Sequence, residues 1–235
     1  RSVFFADANF LVDESWTREL CEALLEHEPQ LRWSCMLRTD RCTPELLQLM
    51  ARAGCGSVLF GIESFEPAAL KASNKKLDVM TAGPAITAAK EAGMEVIVSL
   101  MIGLPGDTPE GVHRTVDRLI QLEPDFAQFF LVQVAHDEAP EGGRFLSDWE
   151  GAKHDFWGRL YAPESFKTRA QLEALQRQSY RRFYLRPRYM FKRVTTLLAS
   201  ENRSYELARM VRGALLASRL ALSRGRTGSN GARDG

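Results

Sequence analysis

The feature that most constrains the fold of this chain is a repeated alternation of short β-rich runs with amphipathic helical stretches. The predicted strands cover residues 3–6, 32–38, 57–62, 95–102 and 126–134, and the predicted helices cover residues 15–27, a stretch opening at Pro44, 78–92 and 109–122. Strands roughly 25 to 40 residues apart with a helix inside each interval form βαβ units, which produce a parallel sheet. The pattern alone leaves open a doubly wound sheet and a barrel, because both bury their strands on two faces.

The alternation stops after Val134, so we divide the chain there. Residues 1–134 form the βα array, residues 135–163 are expected to be a loop-rich connection, and residues 164–223 a helical extension with helices at 164–184 and 189–222. The last segment, residues 224–235, has no apolar side chain larger than Ala. Such a segment cannot contribute to a hydrophobic core, and we expect it to be disordered.

The net charge of the chain conceals two opposite halves. Hydrophobic residues make up 45% and charged residues 26%, as in ordinary globular proteins, and no apolar run reaches the length of a membrane-spanning helix. Residues 181–235 contain 13 Lys or Arg and 3 Asp or Glu, a net charge of +10, which leaves −9 for residues 1–180. The basic helices are compatible with two roles. They can contact the surface of an anionic membrane, or they can form a solvent-exposed face whose positive charge balances the acidic half of the chain. We expect no nucleic-acid partner, because no binding module is recognisable.

Four cysteines occur, at positions 21, 35, 42 and 55. Their separations of 14, 7 and 13 residues match no zinc or iron-sulfur ligand pattern. We therefore expect free thiols, no metal ligands within this chain and a cytoplasmic, reducing environment.

Polar and glycine-rich groups follow the predicted strands at the edge where the carboxyl ends of parallel strands meet. Asp7 and Asn9 follow the first strand, Arg38 the second and Glu63 the third, while a Gly-Leu-Pro-Gly-Asp-Thr turn beginning at Gly103 follows the fourth. This edge carries the functional surface of parallel βα proteins. Less specific roles remain open, since Arg38 can pair with Glu63 and the turn can simply cap the helix that opens at Pro109.

Three segments, in this order and spacing, carry a resemblance to a known family: FFADANFLVD, LRTDRCTPELLQLMARAGCGSVLFGIES and SLMIGLPGDTPE. They resemble the core of the radical S-adenosylmethionine (SAM) superfamily, in its branch with an N-terminal cobalamin-binding domain. The resemblance covers roughly residues 3–134, and RRFYLRPRYMFKRV resembles the helical extension of that branch. It implies an α/β fold: a partial (β/α)6 TIM-like barrel, with strands two to six present, followed by a helical C-terminal extension.

The resemblance also implies a chemistry. In this family a 4Fe-4S cluster, held by a C-x3-C-x2-C loop after the first strand, donates an electron to SAM, which cleaves to methionine and a 5′-deoxyadenosyl radical. This chain lacks that motif and begins at Arg1 within what resembles the second strand. We therefore expect the C-terminal part of a longer enzyme, inactive alone, whose cluster ligands and cobalamin domain lie outside this sequence. The implied reaction is radical methylation or another modification of an unreactive carbon, such as cyclisation, on a small or lipid-like substrate and with an electron donor.

Carried over by position, the strand-end residues would surround SAM. Asp7 and Asn9 would lie near its methionine end, Arg38 would bind its carboxylate, and Glu63 with Ser64 would approach the ribose or amino group. The residues expected to pack on the adenine are Ser99, Met101 and Gly103.

Two alternatives remain: an ordinary (β/α) barrel enzyme with Glu63 and Asp7 as acid and base, and a degenerate barrel that acts as an interaction module. After the fifth strand the sequence departs from the family's usual P-x-P-G-T turn. There His136 is either an acid or base or, more simply, a surface loop residue.

Overall fold

The computed structural model describes residues 2–27, 30–72, 78–135, 138–146 and 158–199. His136, residues 200–222 of the second predicted C-terminal helix and the tail at 224–235 lie outside the described residues.

The first 134 residues contain the predicted βα alternation. Its strands are β1 (Ser2–Phe5), β2 (Arg32–Leu37), β3 (Cys55–Glu63), β4 (Glu95–Ile102), β5 (Phe126–Leu131) and β6 (Gln133–Val134). Its helices are α1 (Glu14–His27), α2 (Pro44–Arg52), α3 (Pro67–Ala72), α4 (Ala82–Glu91) and α5 (Pro109–Leu122), with 3-10 turns at Thr39–Arg41 and Val79–Thr81. The short helix α3 is an addition to the predicted set.

The order of the strands decides between the two architectures that periodicity left open. The first five strands form one parallel sheet in the order β1-β2-β3-β4-β5. A doubly wound sheet reverses its strand order part-way, whereas this sheet adds each strand beside the previous one. Because βαβ crossovers are right-handed, a sequential order places all the helices on one side, as in a barrel wall.

The two faces of this sheet differ in burial because successive side chains point to opposite sides. One face packs under the helices, with Val58, Phe60, Val96 and Val98 at most 1% exposed. The opposite face, which we call the open face, is partly accessible. It consists of Ser34, Met36, Leu59, Gly61, Ile97, Ser99, Met101, Gln128 and Phe130.

Two helices begin where the sequence predicted, for the expected local reason. The side chain of Thr43 accepts a hydrogen bond from the backbone N–H of Leu46, ahead of Pro44 in the first position of α2. Thr108 plays the same part for α5, accepting from Gly111 N ahead of Pro109. The hydroxyl accepts a hydrogen bond from an N–H group of the first turn that has no partner within the helix. Proline suits the first turn because it has no N–H group that would be left without a partner.

Residues 135–163 are less loop-like than expected. Strand β8 (Arg159–Pro163) pairs antiparallel with both β6 and β7 (Gly143–Phe145), in a sheet of order β6-β8-β7. The buried ring of Tyr161 on β8 forms a small core with Ala69, Leu104 and Val132. These strands contain three to five residues, too few to show an alternation in the sequence.

Two helices follow, α6 (Arg169–Tyr184) and α7 (Pro187–Ala199). The chain divides into two compact units, residues 1–176 and 177–235, so the boundary falls within α6. Within the first unit, Gln176 Nε2 donates a hydrogen bond to the backbone oxygen of Phe129 on β5 at 2.7 Å. The middle of α6 is thus attached to the last strand of the parallel sheet.

Candidate functional site

The loop after β1 places two predicted site residues at the carboxyl edge of the sheet. The backbone N–H of Phe10 donates to Met36 O at 2.9 Å, which ties this loop to β2. Asp7 is exposed, whereas Asn9 is partly buried. The Oδ1 atom of Asn9 is buried, and the described residues provide it with no hydrogen-bond partner. An orphaned acceptor at a strand end is suited to an ammonium or hydroxyl donor of a ligand.

Arg38, directly after β2, is held by a neighbouring carboxylate. Its Nε and Nη2 atoms donate to the two oxygens of Asp40 at 3.0 and 2.8 Å. This bidentate pair holds the pKa of Asp40 below its usual value, mainly through the hydrogen bond from Arg38. The pair with Asp40 fixes the guanidinium at the end of β2, and a planar guanidinium is the group best suited to recognise a ligand carboxylate.

Glu63 ends β3 in a strained conformation. Its φ is +68°, and the N–H of Ser64 donates to Ile62 O at 2.9 Å, closing a three-residue turn around it. The pairing register with β4 also shifts between Gly61 and Glu63. A non-glycine residue at positive φ costs about 1–3 kcal/mol, and such residues concentrate at binding and catalytic sites. This strained turn lies at the strand end where the sequence predicted a ligand.

Ser64 is bonded to neighbouring elements of the protein. Its side chain is 2% exposed; its Oγ lies 3.3 Å from Thr115 Oγ1 on α5 and accepts from the N–H of Glu66 at 3.1 Å. Thr115 Oγ1 also accepts from the N–H of Phe65. The Ser64 hydroxyl therefore fastens the β3–α3 connection to α5, a role on the helix side of the sheet.

A row of small and polar residues crosses the open face. The β-sheet register places Gly61, Ser99 and Gln128 side by side on β3, β4 and β5. Ser99 is 8% exposed. Met101, two residues further along β4, packs against the small core of Leu104, Val132 and Tyr161. The row offers a flat ligand a surface with hydrogen-bonding groups.

The turn after β4 is shaped by two glycines. Gly103 and Gly106 have φ values of +89° and +79°, a region that glycine adopts without penalty. A Cβ on Gly103 would lie 3.1 Å from Leu172 on α6 and 3.7 Å from Pro163 on β8. Gly103 is thus required by the approach of the C-terminal segment to the turn, in addition to any role beside a ligand.

Asp107 holds this turn together from inside. Its Oδ2 accepts hydrogen bonds from the backbone N–H groups of Gly103 and Leu104, both at 3.1 Å. The residue is 3% exposed, and its Oδ1 is buried with no partner among the described residues. Burial raises the pKa of this carboxyl to about 6, although the two backbone hydrogen bonds oppose the shift. Ser165 Oγ donates to the backbone oxygen of Asp107, which attaches the turn to the segment after β8.

The cysteines do not provide a cluster site. Cys21, Cys35 and Cys55 are buried, and all four thiols are free. Burial raises the pKa of Cys21 to about 11 and that of Cys42 to about 12; a hydrogen bond with Cys55, followed by burial, raises the pKa of Cys35 further. Iron-sulfur clusters require thiolates. Across the described ranges, no group of three or more His, Cys, Asp or Glu side chains could hold a metal ion.

The sequence was compared with the profiles of known protein families. The sequence profile of the Radical SAM superfamily matches residues 1–119, half of the chain. The chain belongs to the radical SAM superfamily. Strands β1 to β4 and the strand-end residues described above lie within the matched segment, and members of this superfamily use SAM and a 4Fe-4S cluster.

Relatives of this radical SAM chain include proteins named as methylases. An uncharacterised methyltransferase of Pyrococcus horikoshii is 25% identical over 224 residues, which is 92% of this chain and 46% of the relative. The hopanoid C-2 methylase of Rhodopseudomonas palustris is 32% identical over 117 residues, 46% of this chain and 22% of the relative. The chain therefore spans less than half the length of these curated relatives.

A solved structure confirms the fold. The cobalamin-dependent SAM radical enzyme OxsB matches with a TM-score of 0.59 and 14% identity, over 93% of this chain and 39% of OxsB. The α/β fold of a partial TIM-like barrel with helices after it, predicted from the resemblance, is confirmed.

Two features of the candidate site were missed from the sequence. Gln128 on the open face follows from the alternation of β5, in which Ala127 and Phe129 are buried. Asp107 and Thr108 are both capping residue types at the end of the glycine-rich turn, but Thr108 supplies the helix cap and Asp107 bonds to the turn itself. Nothing in a single sequence distinguishes those two adjacent capping residue types.

Proposed function

We propose that this chain is the C-terminal part of a cobalamin-dependent radical SAM enzyme that methylates, or otherwise modifies by a radical reaction, an unreactive carbon. The observation that carries the proposal is the set of ligand-suited groups at the carboxyl edge of a radical SAM sheet. These are the orphaned Oδ1 of Asn9, the fixed guanidinium of Arg38 and the strained Glu63. The names of the methylase relatives support the reaction class.

The residues present fit SAM. Asn9 Oδ1 would accept a hydrogen bond from its ammonium group, with Asp7 nearby, and the Arg38 guanidinium would bind its carboxylate. Glu63 would accept from ribose hydroxyls, which donate to a carboxylate well. Ser99 would face the adenine, while Met101, Gly103 and Ser64 would support this surface through the packing and hydrogen bonds described above.

The residues present do not fit the 4Fe-4S cluster, which supplies the electron that cleaves SAM. Cys21 and Cys35 are buried, and the raised pKa values of Cys21, Cys35 and Cys42 keep these three thiols protonated. We propose that the cluster ligands lie outside this sequence and that the chain alone makes no radical. Cobalamin is likewise assigned to a part of the enzyme outside this chain.

The proposed partners follow from the same reaction class. They are a small or lipid-like substrate, an electron donor, and a membrane surface reached by the basic C-terminal helices. The hopanoid methylase among the relatives, whose name denotes a lipid substrate, supports the lipid-like choice.

The test uses the full-length enzyme, anaerobically reconstituted with iron and sulfide and supplied with SAM and dithionite. We expect a reducible cluster and 5′-deoxyadenosine. The Arg38→Gln variant should bind SAM about tenfold or more weakly, because a charged hydrogen-bonded pair is lost. The matched control is Arg41→Gln, a change at an exposed residue three positions away, which should bind SAM like the wild type.

Three outcomes would contradict the proposal. Absence of a C-x3-C-x2-C motif in the coding sequence upstream of Arg1 would remove the radical chemistry. SAM binding without any 5′-deoxyadenosine would favour a degenerate barrel, and turnover without SAM would favour ordinary acid–base chemistry by Glu63 and Asp7.

A further inference from the structure

The second unit carries a large apolar surface on α7. Four apolar side chains on this helix are 44–71% exposed: Met190, Phe191, Val194 and Leu198. Residues 190, 194 and 198 are four apart, and residue 191 lies seven before 198 and three before 194. Positions three, four and seven apart share one side of a helix, so the four side chains form a single stripe.

The opposite side of α7 is fixed by aromatic packing, which determines the side that remains outward. The ring of Tyr189 lies 5.4 Å from Phe183 and 5.3 Å from Tyr184, both at the end of α6. Arg193 is 8% exposed; its guanidinium lies 5.2 Å from the Tyr189 ring, and its Nε donates to Tyr189 Oη at 3.2 Å. Tyr189 and Arg193 therefore lie on the packed side of α7, away from the exposed apolar stripe.

Positive charge adjoins the stripe. Arg188 and Lys192 are exposed, and they are four residues apart, so they form a row beside Phe191. Between Glu173 and Glu201 the sequence contains seven Arg or Lys and no Asp or Glu. A region this basic repels another copy of itself and attracts a surface of negative charge.

We infer that α7 lies on an anionic lipid bilayer, with Met190, Phe191, Val194 and Leu198 inserted among the lipids and Arg188 and Lys192 at the headgroup phosphates. An exposed apolar stripe beside a cationic row is the pattern of helices that lie in the membrane interface, with basic side chains extending toward phosphates. Nucleic acid would use the charge but leave the apolar stripe in water. Within the described residues, no helix has the length and apolarity to cross a bilayer.

This inference rests on the membrane contact included in the proposed function, but its test needs no cofactor or turnover, so the two can fail separately. The full chain is co-sedimented with vesicles of phosphatidylcholine alone and of an equimolar mixture with phosphatidylglycerol. We expect binding to the anionic vesicles only. Removing one positive charge near the membrane surface should weaken vesicle binding about fivefold. The Phe191→Ser variant should bind the vesicles about tenfold or more weakly.

The variants are designed to leave the fold intact, since each change is at an exposed side chain. Thr195→Ser, on the same helix and also exposed, is the matched control and should bind like the wild type. Arg188→Gln with Lys192→Gln tests the charge, and circular dichroism verifies helix content. Equal binding to both vesicle types, or unchanged binding of Phe191→Ser, would overturn the inference. Self-association that Phe191→Ser abolishes would also overturn it, by assigning the stripe to a second copy of the chain.

Discussion

The Oδ2 atom of Asp107 lies 3.1 Å from the backbone nitrogen of Gly103, so a buried carboxylate organises the turn at the end of β4. The same atom accepts from Leu104, and Oδ1 has no partner among the described residues. One oxygen of Asp107 is therefore hydrogen-bonded, and the other is buried without a partner among the described residues. Burial without that hydrogen bond makes the ionised carboxylate unfavourable. The stability of the fold should consequently depend on the protonation of this group.

For Asp107 the sign of the pH dependence follows from its raised pKa. Burial raises the pKa from 3.8 to about 6, so its contribution to stability is fully present below pH 3.8 and is lost as the pH rises through about 6. Asp107→Asn keeps an acceptor for the two N–H groups and does not ionise. Between pH 4 and 7, the free energy of unfolding of the variant should therefore rise relative to wild type by on the order of 2 kcal/mol.

Urea unfolding at several pH values measures this difference for Asp107→Asn. Asp117→Asn, a change at an exposed carboxylate on α5, is the control and should show no comparable trend. A difference between the Asp107 variant and wild type that stays constant with pH would mean that the carboxyl titrates normally.

The positive φ of Glu63 predicts an unusual order of stability among its variants. Glu63→Gly should be more stable than Glu63→Ala by about 1 kcal/mol, because glycine adopts this conformation without penalty. Both variants lack the carboxylate, so the comparison isolates the backbone. Thermal unfolding of the two proteins gives the result, and an alanine variant as stable as the glycine variant would refute the strained turn.

Gly54 and Gly93 end helices in the same left-handed conformation, with φ values of +95° and +82°, but differ in their surroundings. A Cβ on Gly54 would lie 2.1 Å from the backbone oxygen of Leu31, whereas none of the surveyed atoms lies within 4 Å of one on Gly93. Gly93→Ala should cost about 1 kcal/mol for the conformation alone, and Gly54→Ala clearly more, because the backbone must shift. Chemical denaturation of both variants measures the two costs; equal values would contradict the close approach.

Ser64 and Ser99 should separate stability from cofactor binding. Ser64→Ala removes a buried hydroxyl bonded to Glu66 N and adjacent to Thr115, and should lower the free energy of unfolding by about 1–2 kcal/mol. SAM affinity in the full-length enzyme should hardly change. Ser99→Ala should instead weaken SAM binding and hardly change the free energy of unfolding. If Ser64→Ala weakens SAM binding more than Ser99→Ala, then Ser64 contacts the cofactor as the resemblance first implied.

The predictable part of this molecule is the part governed by local periodicity. The five parallel strands, and helix starts such as Pro109, follow from side-chain alternation and capping residues within a few positions. What escaped prediction depends on distant partners. The hydroxyl of Ser64 contacts Thr115, 51 residues away, and β8 is defined only by its pairing with β6 and β7. Likewise, the identity of residue 107 cannot reveal that its carboxylate will be buried.

The sequential order of the parallel strands has a consequence for how the protein is made. Each strand from β2 to β5 pairs with the strand synthesised immediately before it, so its binding edge is already present when it leaves the ribosome. The sheet can therefore grow from β1 in the direction of translation, with one helical crossover closing at each step. Only the later antiparallel sheet must wait, because β6 gains its partner β8 about 25 residues further along the chain.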